Sequence, residues 1–174
     1  MTNSEIFTIL RPHIMTVTGV SECILADPNG MSPDGSYASL RPRQSIRERG
    51  QANIRLIDMT DNKVRHDIRA QVVCDVVLDF FRDGAMEYAE KLKQCFKRPD
   101  VVWPLWSSGI GVRGIGDVQN LTALQASNFE ERANVTMQLY YETSNIVDIN
   151  NILSASFSVE NESGDVLQTT DISW

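Results

Sequence analysis

"KVRHDIRAQVVCDVVLDFF", residues 63–81, is the stretch whose reading decides the fold. It follows a turn at Thr60-Asp61-Asn62-Lys63 and alternates with a period of two, as a strand does. The pattern holds for up to about 18 residues, roughly 60 Å at about 3.3 Å per residue, which is longer than one compact sheet accommodates. Its two halves differ. As far as about Ala70 both faces are polar, so residues 51–70 are expected to form a β-hairpin projecting beyond the core. Farther on, Val72, Cys74, Val76, Leu78 and Phe80 make one apolar face, while Val73, Val77 and Phe81 interrupt Asp75 and Asp79 on the other. Both faces need cover. Helices suit the first, and the second invites a neighbouring subunit, because exposed apolar patches mark interaction sites.

Working outward, the partner of this strand in the hairpin is "QANIRLIDM", where Ala52, Ile54 and Leu56 alternate with Asn53 and Arg55. Before it, Pro28, Asn29, Gly30, Pro33, Asp34 and Gly35 concentrate turn chemistry, and residues 27–50 read as one long loop. The second half of that loop and the strand edge after it hold "RPRQSIRERGQANIR", with five arginines and one acid in residues 41–55 of a chain whose formal net charge is −7. Arg41, Arg43, Arg47, Arg49 and Arg55 are therefore expected to meet carboxylates of the next identical subunit or of an adjoining protein. A planar guanidinium grips a carboxylate with two hydrogen bonds.

The N-terminal segment is expected to be a helix capped by Ser4, with Ile6, Leu10, Ile14 and Val17 on one stripe and a kink at Pro12. His13 shares that stripe and reads as a packed or half-exposed imidazole. "DGAMEYAEKLKQCFKRP" is the clearest helix, capped by Asp83, striped by Ala85, Ala89, Leu92 and Phe96, and stopped by Pro99. "VVWPLWSSGIGVRGIG" reads as a loop in which Trp103 and Trp106 are candidate contact residues. Strands follow in "VQNLTALQ" and "RANVTMQLYYE", then a short helical segment near residues 145–151, the strand "LSASFSVE", a turn at 161–164 and the strand "VLQTTDI". The sum is an α+β fold: a mixed, mostly antiparallel sheet of about six strands, with helices packed on one face and no βαβ repeat. The 174 residues suit a single domain.

Composition narrows the function. A chain that is 42% hydrophobic and 22% charged, without low-complexity tracts, is an ordinary folded protein. The N-terminus lacks a basic region followed by an apolar run and cleavage site, so neither export by signal peptide nor a membrane span is expected, and three glycosylation tripeptides read as chance. Cys23, Cys74 and Cys95 are widely spaced, without a C-x-x-C and with only two histidines, a pattern unsuited to zinc. Cys74 and Cys95 read as small buried hydrophobes.

Gly109-Ile110-Gly111-Val112-Arg113-Gly114 matches G-x-G-x-x-G, but the dinucleotide fingerprint needs a buried strand before it and a helix opening within it. "WPLWSS" precedes it and a strand-like alternation follows, so a flexible glycine loop beside an assembly surface is the better reading. No P-loop, G-x-S-x-G or H-E-x-x-H occurs, and Asp75 with Asp79 reads as a solvated or subunit-facing pair. No catalytic role, cofactor or metal is expected. The acidic balance argues against a sequence-specific nucleic-acid binder.

The order of these elements carries a resemblance. "ILRP" in the first helix, the long central hairpin, "VVCDVVLDFF" leading into "GAMEYAEKL", and above all "NFEERANVTMQLYY" together resemble the neck or tail terminator proteins of tailed bacteriophages. The resemblance implies a structural virion protein with a mixed sheet flanked by helices. It also implies a hexameric ring at the head-proximal end of the tail that stops tube or sheath growth and joins tail to head. Its expected partners are itself, tail tube and sheath proteins, and head-tail connector proteins, with DNA only passing through the lumen and no membrane. It would be assembled in the host bacterial cytoplasm. Another head-tail connector or tail-completion subunit of similar fold is the alternative. Arg41, Arg43, Arg47, Arg49, Arg55, Val73, Val77, Phe81, Trp103 and Trp106 are the expected interface residues.

Overall fold

The computed structural model describes residues 1–27, 31–60, 62–95, 97–125, 128–152 and 154–173. The chain runs α1 (Asn3–Thr18), β1 (Glu22–Leu25), β2 (Tyr37–Glu48), β3 (Asn53–Asp58), β4 (Lys63–Phe81), α2 (Ala85–Cys95) and α3 (Pro99–Ser107). It continues with β5 (Gly111–Ile115), β6 (Gln119–Asn120), β7 (Ala123–Gln125), β8 (Asn128–Glu130), β9 (Arg132–Asn150), β10 (Ser154–Glu160) and β11 (Val166–Ser173). These residues form two compact units, Met1–Gln51 with Ala70–Thr143, and Ala52–Arg69 with Ser144–Trp174. Strands β4 and β9 run from the first unit into the second.

The principal sheet follows the order β1-β2-β4-β9-β5, with β3 also pairing β4 and β6 pairing β9. Strands β1 and β2 pair parallel; β2 and β3 pair β4, and β5 and β6 pair β9, antiparallel. The fold is therefore α+β with a mixed, mostly antiparallel sheet, and the hairpin expected at residues 51–70 forms between β3 and the first half of β4.

In the first unit the farther half of β4 buries Val72, Cys74, Val76, Leu78 and Phe80, as its alternation requires. Leu40 stands opposite Leu78 and Ala38 opposite Phe80, and Val135, Met137 and Leu139 of β9 join the same core. Ile6, Leu10 and Ile14 of α1, Ala85, Ala89 and Leu92 of α2, and Val101 and Leu105 of α3 close it. Each large side chain buried there contributes about 1.5–3 kcal/mol by leaving water.

Local chemistry departs from expectation at both major helices. The cap of α1 is Thr2, not Ser4: its hydroxyl accepts from the Glu5 amide while the Glu5 carboxylate accepts from the Thr2 amide, a reciprocal box. The helix runs through Pro12 to a left-handed Gly19. Its stripe ends on Thr18 rather than Val17, since Thr18 is buried with its hydroxyl donating to the Ile14 carbonyl at 2.7 Å. His13 is half-buried. For α2 the N-terminal amides of Gly84 and Met86 donate to the Glu131 carboxylate at 2.9 and 3.2 Å, so a residue far along the chain does what Asp83 was expected to do. Phe96, expected on the α2 stripe, lies outside the described residues, as do Pro28, Asn29, Gly30 and Asp61 of the expected turns.

Three segments fold differently from their sequence reading. The long loop of residues 27–50 contains β2, whose Pro42 and left-handed Arg43 sit in a register shift between Arg41 and Ser45. A bulge needs no ladder donor, which lets proline stand inside a strand. The tryptophan-rich loop contains α3, opened by Pro99 at its first turn, where a missing amide costs nothing. Pro99 thus starts one helix rather than only stopping another. Residues 145–150, read as helical, extend β9.

In the second unit, among the described residues, only Asp67 is buried, and no apolar side chain is. Polar cross-strand bonds hold β4 to β9 there: Arg65 grips Asp148 at 2.7 and 2.9 Å, and Asp67 accepts from Ser144 at 2.7 Å, while Arg69 on the same strand also donates to Asp67 at 2.7 Å. The β10–β11 hairpin is closed by Asn161, whose side-chain oxygen accepts from the Ser163 and Asp165 amides at 2.9 and 2.8 Å.

Two outcomes follow. Phe80→Ala should destabilise the protein by about 3–5 kcal/mol in urea unfolding, whereas half-buried Phe81→Ala should cost less. The Ser144 hydroxyl and the Arg69 guanidinium hold the Asp67 carboxyl below its ordinary range, and Arg65 does the same for Asp148. Carboxyls depressed in the folded state add stability above their unfolded pKa of about 3.9 and lose it as pH falls through the folded value. Amide-exchange protection of residues 64–69 should therefore hold from pH 7 to about 5 and fall below about 4. Asp67→Asn should weaken protection at neutral pH and flatten that profile.

Candidate assembly surface

The face of the first unit opposite the helices is built from alternate residues of β2, β4 and β9. Register places Tyr37 beside Phe81, Ser39 beside Asp79, Arg41 beside Val77, Ser45 beside Asp75 and Arg47 beside Val73. Asn134 of β9 donates to Asp79 at 2.7 Å, and Ser45 donates to Asp75 at 2.5 Å. The three apolar residues expected to seek a neighbouring subunit have intramolecular cover. Val73 is only 4% exposed, Val77 is half-buried, and Phe81 stacks on Tyr37 at 4.7 Å between centroids with the Arg132 guanidinium 4.6 Å from its ring centroid. Val73 in particular is buried in the single chain, contrary to its expected exposure. Cross-strand aromatic pairs and long basic stems cover apolar surface that the linear alternation leaves open.

The five arginines are dispersed over this architecture. Arg41, Arg43 and Arg47 lie on strand β2 rather than on a loop, and Arg49 follows it directly. Arg41 makes a two-pronged pair with Asp27 at 3.1 and 2.8 Å, which holds the Asp27 carboxyl below its ordinary range. Arg47 reaches Asp75 at 3.5 Å. Arg43 turns at the bulge, and its Nε is buried without a hydrogen-bond partner among the described residues. Arg49 lies 5.1 Å from the Tyr140 ring centroid. Arg55 belongs to the second unit, on exposed β3. Two of the five thus already hold carboxylates of their own chain, Arg55 stands opposite Asp67 and helps to hold its carboxyl below the ordinary range, and Arg49 makes no ion pair among the described residues.

Beside Arg49 opens a cleft of about 310 Å³ lined by Trp106, Gly109, Gly111 and Tyr140. Two glycines border it, and a Cβ on Gly111 would stand in van der Waals contact, 3.5 Å from that of Tyr140. The glycine motif is not a flexible loop: Gly109 ends α3 with φ +78°, and Gly111–Ile115 is strand β5 paired with β9. A strand stands where a dinucleotide site would need a helix N-terminus. Trp103 and Trp106, with centroids 5.2 Å apart, project from α3 at 68% and 63% exposure, on the side opposite buried Val101 and Leu105.

A third apolar surface escaped the sequence reading. In the β10–β11 hairpin, Ala155, Phe157 and Val159 share a face with Ile172, and Ser154, Ser156 and Ser158 share the other with Asp171 and Ser173. Phe157 is 59% exposed, and Val159, Val166, Leu167 and Ile172 are exposed with it. The strict serine–apolar alternation from Ser154 to Val159 was the available signal.

All three thiols are buried and free; burial pushes Cys23 and Cys95 up to about 11, so neither presents a thiolate at neutral pH. Among the described residues no group of three or more His, Cys, Asp or Glu side chains is arranged to hold a metal, and no helix is long and apolar enough to cross a membrane.

A family model described as phage neck terminator protein matches residues 4–163. No curated protein matches the chain. Because β5 occupies the glycine motif, neither NAD nor ATP should raise the melting temperature; a rise of several degrees with either would reinstate a nucleotide site.

Proposed function

This chain belongs to the phage neck terminator family, a family of structural proteins of the virion tail and neck, and from that membership we propose that it is a ring-forming tail terminator. Copies would close into a hexamer at the head-proximal end of the tail, end the growth of the tube and any sheath, and present a docking surface to the head-tail connector. The observation that carries this reading is the extent of the family match, residues 4–163, which runs through both compact units. That extent also supports treating the two units as one terminator-like domain.

Physical features point the same way. An assembly subunit needs exposed anchoring side chains rather than a catalytic cleft, and paired exposed tryptophans at the surface of a short helix are of the type that dominates interfaces. The arginines supply pairing groups within an acidic chain, for a neighbouring copy or for tube, sheath and connector proteins. A net charge of −7 suits a lumen through which DNA slides without being gripped, since like charge repels phosphate. Assembly would take place in the cytoplasm of the bacterial host and end in the virion neck.

Sedimentation and negative-stain imaging of the purified protein test the reading: six-fold rings, formed either in solution or on tail tubes, are expected. A strict monomer that neither closes into rings nor caps tubes would overturn it. Trp103→Ala with Trp106→Ala should shift monomer unfolding by no more than about 0.5 kcal/mol, as exposed substitutions do. The same pair should raise the concentration needed for assembly about 30-fold, the equivalent of about 2 kcal/mol at an interface.

A further inference from the structure

We infer that the β10–β11 hairpin of one copy docks, apolar face first, onto the Arg49 cleft and the adjoining basic strand β2 of a second copy. The inference deepens the ring reading and rests on the premise that copies associate.

The first support is burial. A lone two-stranded hairpin is marginal in water and needs a third strand or a covering surface. Within its own unit the β10–β11 hairpin has neither: Phe157, Val159 and Ile172 are exposed, and no other strand pairs with it among the described residues. Its turn is nonetheless fully specified by the Asn161 side chain, so the hairpin is a formed element with an unoccupied apolar face.

The second support is charge. Residues 154–173 hold Glu160, Glu162, Asp165 and Asp171 and no basic residue, a formal charge of −4. Of the five arginines in residues 41–55, Arg41 and Arg47 are taken up by Asp27 and Asp75, and Arg55 stands opposite Asp67 in the second unit. That leaves Arg43 and Arg49 without an ion pair among the described residues, and the surface around the cleft is basic there. Both surfaces belong to the same chain, which selects a second copy over an unrelated protein as the occupant. Every copy then offers one acidic, apolar arm and one basic receiver, and a head-to-tail contact of this kind closes into a ring when its rotation permits.

The third support is shape and chemistry at the receiver. The cleft has aromatic walls in Trp106 and Tyr140, two glycines in its lining, and at its edge Arg49, which makes no ion pair among the described residues. A phenyl ring suits the aromatic walls, and a neighbouring carboxylate suits the guanidinium. Glu142 also borders the cleft and Arg47 holds Asp75, so the cation that the arm meets at the cleft is Arg49.

Charge reversal with mixing tests the contact. One variant carries Arg47→Glu and Arg49→Glu; the other carries Glu160→Arg and Glu162→Arg, exposed positions that leave the Asn161 turn bonds intact. With melting confirming that each folds, each alone should raise the assembly concentration at least about tenfold, because like charges then face each other. An equimolar mixture should assemble nearly as the parent does, every receiver finding an arm of opposite sign. If the parent forms rings but both variants assemble normally, the docking is wrong while the ring reading stands. If mixing fails and only a chain carrying all four substitutions recovers, the arm meets its own chain and the inference is overturned. A parent that never associates removes the ring reading itself. An independent readout uses Phe157→benzoylphenylalanine in a mixture of heavy-nitrogen and unlabelled protein. Photocrosslinks should join heavy to light chains at Trp106 or Tyr140, and crosslinks confined to one isotope, or to other residues, would reject the proposal.

Discussion

The structure depends on a change of character along one strand. β4 is 19 residues long, and alternate side chains are apolar over only its second half. Where Cys74, Val76, Leu78 and Phe80 point to one side, three helices, β2 and β9 can bury themselves against it, and the first unit acquires a core. Where the same strand carries Arg65, Asp67 and Arg69, no apolar side chain is buried among the described residues, and it is held by backbone pairing to β3 and by an ion pair and a hydroxyl bond to β9. Continuity of hydrogen bonding along a strand does not require continuity of hydrophobic burial, and this chain uses the two separately.

That separation bears on assembly. In the proposed assembly, a unit whose apolar side chains remain exposed would gain stability by association, and a unit with a complete core would receive it without rearrangement. The open sheet face of the first unit is largely satisfied from within: Asp75 and Asp79 accept hydrogen bonds, and Phe81 is sandwiched by Tyr37 and Arg132. What it leaves for a partner lies at its edge, in Arg49, Tyr140 and Trp106. The concentration of arginine is therefore resolved into unlike parts. Arg41 and Arg47 hold intrachain carboxylates, Arg43 serves the bulge, Arg55 faces Asp67, and Arg49 retains the capacity to pair.

Much of this was legible in the residues. The two halves of β4, the stripes of α1 and α2 and the β3–β4 and β10–β11 hairpins all follow from patterns within a few residues of one another. The family resemblance rested on the same local patterns, strung in order. The Trp pair was visible as composition, although its helix was not, because Pro99 and Pro104 argue against helix until one sees that the first occupies the opening turn.

By itself, then, the sequence determined which faces are apolar and where the unambiguous turns and helices fall, because periodicity and turn chemistry act between neighbours. Only the tertiary structure decided that residues 37–48 form a strand, that β9 continues through Asn150, that Glu131 caps α2 and that Val73 is buried within the chain. Each of these depends on a partner far away in sequence: β4 for β2, Asp67 and Arg65 for the end of β9, the first turn of α2 for Glu131, and Arg47 beside Val73. A hydrogen-bond donor across a strand leaves no trace in the residues beside it. Its effect appears only when folding brings the two together.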